Sequence, residues 1–310
     1  MGILSIDFGG TRTRAAFYSD DFQQIVRDET RSLVNQPANA VIDRIIQISR
    51  NVVPTNETIH AIGISAPGPL DARAGIIHSA LTLPGWRDTP LAHIVSTAFD
   101  NVPTYIENDA NLAALAEYEQ GAAQGCDPAI YLTLSTGIGG GAIMNGQLFT
   151  GWSGLAIEPG HMRFTLPSGE IKRLEDLASG TAIGRTAQTR LKETTQASSL
   201  RDCLIVDGQA VGEAAQAGDA LARLIVQEAG TWLGLGFVNL LHLFSPQVIV
   251  LGGSVSKLGD LILEPAWEVI HTHILEESFI PPNLIRLAQL GDDVCLVGAA
   301  LYASRQIKKV

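Results

Sequence analysis

Cysteine is scarce in this chain, and so is positive charge. Cys126, Cys203 and Cys295 are the three thiols in 310 residues, isolated and separated by long intervals. That spacing fits neither a disulfide framework nor a cysteine metal site, and it points to a reducing compartment. Lysine and arginine total 21 against 32 acids, a formal net charge of -11, and no basic stripe occurs; the pair Lys308-Lys309 sits at the C-terminal end. A duplex-binding surface needs several phosphate-neutralising cations on one face, so nucleic acid is not an expected partner. Long apolar runs are also missing. The nearest, Thr231 to Leu243, is interrupted by Asn239 and His242 and is too short to span a bilayer. Met1 is followed by Gly2-Ile3-Leu4-Ser5-Ile6-Asp7, which lacks the basic start of a signal peptide and reads as a first strand. A cytoplasmic protein with no membrane attachment is the expectation.

What is abundant is glycine, 31 residues, in a chain that is 46% hydrophobic and 17% charged. That composition belongs to a compact α/β enzyme, and the length suits two domains better than one core. Strand-like runs at Gly2–Asp7, Thr13–Tyr18 and Gln24–Thr30 are separated by short turns, which predicts an antiparallel meander. Helices are predicted over Asn39–Asn51, Leu91–Phe99 and Ala110–Gln120, alternating with strands at Ile59–Ser65 and Pro103–Glu107. A second series begins in the same way at Ala129–Leu134, returns over Gly141–Met144, and turns at the type I′ signal Asn145-Gly146. A long helix over Ala220–Leu243, a buried-type strand at Gln247–Leu251 and a last helix from Cys295 to about Ile307 follow. The expected division is an N-terminal α/β domain over 1–118, a larger C-terminal α/β domain over 119–292, and a final helix in 293–310 packing back on the first.

Three glycine turns follow apolar strands: Gly9-Gly10-Thr11 after Asp7, Thr136 to Gly141 after Leu134, and Gly252-Gly253 after Leu251. Glycine there removes Cβ atoms where backbone must approach a ligand, and successive N–H groups can nest a phosphate. None is a Walker A turn, since no Gly-Lys-Ser/Thr follows, and a strand follows the second turn where a dinucleotide fingerprint needs a helix. Between the first two lies Glu107-Asn108-Asp109-Ala110-Asn111. A carboxylate with an amide beside it, at a strand end and between phosphate-type turns, suggests phosphoryl transfer to a hydroxyl. Asp109 is the candidate general base, Asn108 a donor and acceptor to sugar hydroxyls, and a simple helix cap is the alternative for either. Asp7 is oriented to hold Mg²⁺ through water, and Thr11 and Thr136 offer hydroxyls to the phosphates. Glu158, His161 and Glu175 form a third cluster, able to read a polyol or to bind a metal. Trp86, in Leu83-Pro84-Gly85-Trp86, reads as core or cleft rim.

Together these segments resemble the ROK family of bacterial sugar kinases and repressors. The matching stretches are Asp7 to Thr11, Gly63 to Pro69, Glu107 to Asn111, Ser135 to Gly141, Glu158 to His161, and Val250 to Gly253. The resemblance implies a two-domain actin/hexokinase/Hsp70-like (ribonuclease H-like) fold with a ligand cleft between the domains. It implies ATP-dependent phosphorylation of a hexose hydroxyl, most readily glucose to glucose 6-phosphate, with Asp109 as the base. N-acetylmannosamine, N-acetylglucosamine, fructose or allose are alternative acceptors, and a non-catalytic sugar-binding regulator is an alternative role. Pro67, Gly68, Asn108, Asp109, Glu158, His161 and Glu175 would hold the sugar. Asp7, Gly9, Gly10, Thr11, Thr136, Gly137, Gly139, Gly252 and Gly253 would serve ATP and Mg²⁺. A homodimer is implied too. The family's usual zinc ligands are the His of the Glu-x-Gly-His segment and three cysteines shortly after it. Here Met162 to Arg173 contains no cysteine, so no zinc site is expected.

Overall fold

The computed structural model describes residues 2–78, 83 and 85–308; Met1, Pro84 and Lys309, named above, lie outside the described residues. The chain forms two compact units. One takes in the residues up to Gly121, Leu148–Ala156 and the chain from Leu290 onward; the other is Ala122–Gln147 with Ile157–Gln289.

The first unit opens with the antiparallel meander β1 (Gly2–Phe8), β2 (Arg12–Ser19) and β3 (Gln24–Arg31). After α1 (Ala38–Asn51) come β4 (Ile59–Ala66), the short hairpin β5 (Leu70–Asp71) and β6 (Ile76–Ile77), and α2 (Leu91–Ala98). The strand β7 (Thr104–Asn108) then runs directly into α3 (Asp109–Gln120). The sheet order is β3-β2-β1-β4-β7, with β4 parallel to β1 and β7 parallel to β4. Every residue of β1 is buried, as a central strand covered on both faces requires. Helix α1 turns Val41, Ile42, Ile45 and Ile48 inward, one apolar stripe at helical spacing. Trp86 is core: it is 3% exposed and stacks on Phe8 with ring centroids 5.1 Å apart.

The second unit repeats the topology. Its sheet is built from β8 (Ala129–Leu134), β9 (Ile138–Met144), β10 (Gln147–Leu148), and later strands β13 (Val248–Gly252) and β14 (Ile285–Leu287), in the order β10-β9-β8-β13-β14. Between β10 and β13 lie the hairpin β11 (Arg163–Thr165) and β12 (Ile171–Arg173), followed by α4 (Leu174–Ala178), α5 (Gly180–Glu193), α6 (Gly208–Gln216) and α7 (Ala220–Phe244). Helix α8 (Asp260–His273) connects β13 to β14. Two local readings change. The run Gly139-Gly140-Gly141 is strand, paired in register with Thr133, Leu132 and Tyr131 of β8, and the turn itself is confined to Ser135–Gly137. Glycine is needed in β9 for packing, since a Cβ on Gly140 would come 2.6 Å from the Pro159 ring. Helix α7, with 25 residues, is long and apolar enough by composition to cross a bilayer, yet 61% of its most apolar window is buried within the protein. It is the spine of the second core, with Ile225, Val226, Leu233, Phe237 and Leu241 inside.

The last helix, α9 (Val294–Ile307), belongs to the first unit. It packs on β1, β4 and α3, where Leu296 accepts a 2.6 Å hydrogen bond from the buried Ser5 hydroxyl. Gly63 and Gly298 let backbone meet backbone there: a Cβ on Gly63 would lie 2.0 Å from the Ala299 carbonyl oxygen.

Candidate active site

In the first unit the candidate residues gather at strand ends. The β7–α3 junction places Asp109 in the first turn of α3, exposed, where the helix N-terminus favours its charged form. Asn108 is the N-cap: its Oδ1 accepts from Ala110 N at 2.9 Å and Asn111 N at 3.4 Å. Both lone pairs of that carbonyl are thereby used, which leaves the Nδ2 donors to serve a ligand. The amide lies against Gly68, where a Cβ would be 3.2 Å from Nδ2. Pro67 and Gly68 follow β4 directly, half-buried, and the Gly68-Pro69 peptide is cis. Beneath the junction, Glu107 is 2% exposed and accepts from Asn108 N at 2.7 Å and Asn111 Nδ2 at 3.1 Å; burial raises its pKa above the usual carboxylate range. On α9, the Cys295 thiol donates to the Asp109 carbonyl at 3.7 Å.

The first glycine turn links β1 to β2. Gly9 N donates to Arg12 O at 3.0 Å, and Ser32 fixes the turn from β3's end, its Oγ donating to Gly9 O at 2.6 Å while its N–H reaches Thr11 O at 3.0 Å. Gly10 and Thr11 are exposed. Asp7 is buried and accepts through Oδ2 from Arg14 Nε at 2.9 Å and Nη2 at 2.5 Å. The two residues face each other across the β1–β2 register. Burial opposes the Arg14 charge, but Asp7, together with Cys295 and Asp292, outweighs it and raises the guanidinium pKa. Neither Ser32 nor Arg14 was found by sequence reasoning; the alternation of β2 was the available signal for Arg14.

In the second unit the turn Ser135–Gly137 is closed by Ser135 N donating to Gly137 O at 2.9 Å and by Gly180 N donating to Ser135 O at 2.7 Å. The second bond brings the N-terminus of α5, capped by Ser179, onto the turn. Thr136 is exposed. Gly252 ends β13 and Gly253 follows it: a Cβ on Gly253, where φ is +88°, would lie 2.3 Å from the backbone oxygen of Leu134, and one on Gly252 2.1 Å from the Tyr131 hydroxyl. Beside these turns opens a cavity of about 470 Å³ lined by Ser135, Thr136, Thr181, Gly208, Gly212 and Ser254, among others. Its volume lies in the range of small-molecule sites, and it is bordered by a helix N-terminus and backbone turns that suit phosphate. Sequence reasoning reached its Thr136 edge and missed the wall from α6, which carries no motif.

Glu158, His161 and Glu175 are close enough to sense one another. The carboxyl of Glu158, open to solvent on one side, is crowded on the other; desolvation raises its pKa, His161 lowers it and Glu175 raises it further. The segment is set by Pro159-Gly160, which packs on β9 so closely that a Cβ on Gly160 would meet Ile138 O at 2.1 Å. Gly139 lies in β9 next to that contact. Glu175 Oε2 accepts from Ile138 N at 3.0 Å, so this residue touches the phosphate-type turn as well. The stretch Arg163–Arg173 is the β11–β12 hairpin. Among the described residues no group of three or more His, Cys, Asp and Glu is placed to hold a metal ion.

The sequence profile of the ROK family matches residues 3–306. The chain belongs to the ROK family. A glucokinase of Halalkalibacterium halodurans is 32% identical, over 98% of this chain and 95% of that protein. The solved ROK hexokinase of Thermus thermophilus superposes with a TM-score of 0.82 at 31% identity, covering 100% of both chains. A ROK glucokinase of Streptomyces griseus, solved with glucose and AMPPNP, superposes at 0.81 with 31% identity over 98% of this chain and 100% of that one. The two α/β units are therefore lobes of the actin/hexokinase/Hsp70-like fold, and this ROK protein is an ATP-dependent sugar kinase.

Proposed function

We propose that this ROK kinase transfers the γ-phosphoryl group of ATP to a hexose hydroxyl, with glucose as the acceptor and glucose 6-phosphate as the product. The observation that carries the reading is the β7–α3 junction: Asn108 spends its carbonyl on the cap, and Asp109 beside it presents an exposed carboxylate. Asp109 aligns the acceptor hydroxyl and accepts its proton as the oxygen bonds to the γ-phosphorus and ADP departs. Asn108 donates from Nδ2 to a ring hydroxyl, joined by the backbone at Pro67-Gly68. Glu158, His161 and Glu175 read the remaining hydroxyls. The nucleoside occupies the cavity of about 470 Å³ beside Thr136 and Ser254, with Gly137, Gly139, Gly252 and Gly253 giving the backbone its close approach. Gly9, Gly10 and Thr11 serve the phosphates.

Asp7 fits a place beside Mg²⁺. Its Oδ2 is taken by Arg14, so the carboxylate has Oδ1 to offer, a hard oxygen suited to a relay through water. When bound, Mg²⁺ supplies charge neutralisation of the phosphate oxygens. The reading includes a homodimer in the cytoplasm without a nucleic-acid partner, in keeping with the net charge of -11. The test is ADP release coupled to a reporter across hexoses and N-acylhexosamines, with kcat/KM for each. The highest value with glucose supports the assignment. A higher one with another hexose or an N-acetylhexosamine moves the substrate, and no turnover with any sugar removes the reading.

A further inference from the structure

Glu175 is engaged from two sides. Its Oε2 accepts the Ile138 N–H at 3.0 Å, the first backbone donor after the turn Ser135–Gly137. Its Oε1 lies 3.5 Å from Arg173 Nη1. Arg173 is itself fixed, because Nε and Nη2 fork onto Oδ2 and Oδ1 of Asp176 at 2.8 Å each. A bidentate pair of this kind sets the plane of the guanidinium, and the edge left over is the one toward Glu175. Asp176 answers the same pairing, its carboxyl pulled down to about 2 by the Arg173 hydrogen bonds.

The backbone behind Arg173 is equally constrained. Arg173 ends β12 opposite Arg163 of β11, and the next residue, Leu174, donates from its N–H to Met162 O at 2.9 Å. Phe164 of the hairpin meets Trp232 of α7 edge-on at 5.9 Å, anchoring the hairpin to the core spine. On the far side, the turn makes room for the carboxylate. A Cβ on Gly137 would come 2.4 Å from Glu175 Oε2. Glu158 and Glu175 are also near enough to repel each other, and Arg173 is the cation that offsets the second of those charges.

We propose that Arg173 is the positioning residue of the acceptor site, holding Glu175 so that one carboxylate joins the sugar-reading cluster to the phosphate turn at Ile138. The sugar half of this rests on the function proposed above; the brace on Ile138 does not. A sugar hydroxyl on Glu175 is then felt at the turn that faces the nucleotide cavity. Removing Arg173 leaves Glu175 beside Glu158 without its counter-charge, and the carboxylate swings off the Ile138 N–H. Lysine carries the charge but not the fork, so it serves Asp176 or Glu175 and not both.

The experiment compares wild type with Arg173→Met, Arg173→Lys and Asp176→Asn. Hydrogen exchange at the Ile138 amide is read without ligands, together with melting temperature and the separate KM values for glucose and ATP. Expected for Arg173→Met is Ile138 exchange and a glucose KM each raised by about tenfold or more, the loss of one hydrogen bond to a charged partner. The ATP KM barely moves, and Arg173→Lys falls between. Asp176→Asn, which frees the guanidinium, gives the same pattern if Arg173→Met folds poorly. Unchanged Ile138 exchange in a folded variant overturns the inference whatever the protein phosphorylates. A lowered melting temperature with unaltered glucose KM reduces Arg173 to a structural role and overturns it as well. Absence of sugar turnover in wild type defeats the kinase assignment alone, since the exchange measurement still decides the brace.

Discussion

The carbonyl oxygen of Leu112 occupies the space that a side chain on Gly298 would need, 2.1 Å from the position of its Cβ. The two residues bring α9 onto α3, the helix that presents Asp109. Together with Gly63 against Ala299, this contact makes the C-terminal helix part of the scaffold under Asp109. The obstructing atoms are backbone, so neither partner can turn aside by changing rotamer. Gly298→Ala is therefore expected to destabilise the protein by about 1–3 kcal/mol, the cost of overpacking, as measured by urea or thermal unfolding. A variant as stable as wild type would show that α9 slides easily on α3.

Asp109 is exposed, and its Oδ1 accepts the Ala110 N–H at the helix start at 2.8 Å, a bond that the amide oxygen of asparagine can also accept. Asp109→Asn is expected to keep the wild-type melting temperature and glucose binding while kcat falls by roughly 10²–10⁴. Near wild-type kcat in steady-state assays would remove Asp109 from the chemistry.

The outline of both lobes was legible because its signals are local. Apolar runs ending in Asp7, Leu134 and Leu251, with a glycine one to three residues after each, mark the central strands, and the Asn145-Gly146 pair marks its hairpin. The helical periods in α1 and α7 are long enough to stand out. What stayed hidden depends on contacts distant in sequence. Nothing in Gly139-Gly140-Gly141 separates a turn from a strand until Pro159 is seen packed on it. One wall of the cavity beside Thr136 comes from α6, whose small residues matter only for the space they leave. Ser32 and Arg14 are ordinary residues in β-strand surroundings; their roles follow from the meander register that brings them to Gly9 and Asp7. A helix cap is the alternative reading for Asn108, and the structure shows its Oδ1 making that cap; the ligand contact proposed for Nδ2 uses a different atom of the same amide.

Glu158 gives a pH signature. Desolvation raises its folded-state pKa above the usual value of about 4.3, so between those two values the native protein holds more protons than the unfolded chain. Its contribution to stability therefore falls as pH rises through that window, the reverse of a salt-bridged carboxylate. For binding, the ionised acceptor is present only above the raised pKa. The acid limb of glucose kcat/KM is expected above the ordinary carboxylate range, and Glu158→Gln should lower kcat/KM by about one to two orders of magnitude while flattening that limb. ATP affinity measured without sugar stays the same. A limb that persists unshifted in the Gln variant would assign it to another group.

The cavity beside Thr136 can be filled from its α6 wall. Gly208 and Gly212 both line it, and they leave open the volume assigned here to the nucleoside. A Cβ on Gly212 would meet the Leu258 side chain at 2.9 Å, the mobile end of a leucine and not backbone, so a larger residue there displaces a methyl group without breaking the helix. Gly212→Val should therefore fold, aided slightly by the loss of a helical glycine and hindered by β-branching. Its branches take space from the cavity. We expect the ATP KM to rise by about tenfold or more, the scale of a steric misfit in a packed pocket, with kcat at saturating ATP largely kept. The glucose KM and the Ile138 amide exchange stay at wild-type values, because Glu158, His161 and Glu175 are held by the β9 contact and by Arg173. A glucose KM that rises in step with that of ATP would mean that α6 supports the sugar cluster, and an unchanged ATP KM would put the nucleoside outside this cavity.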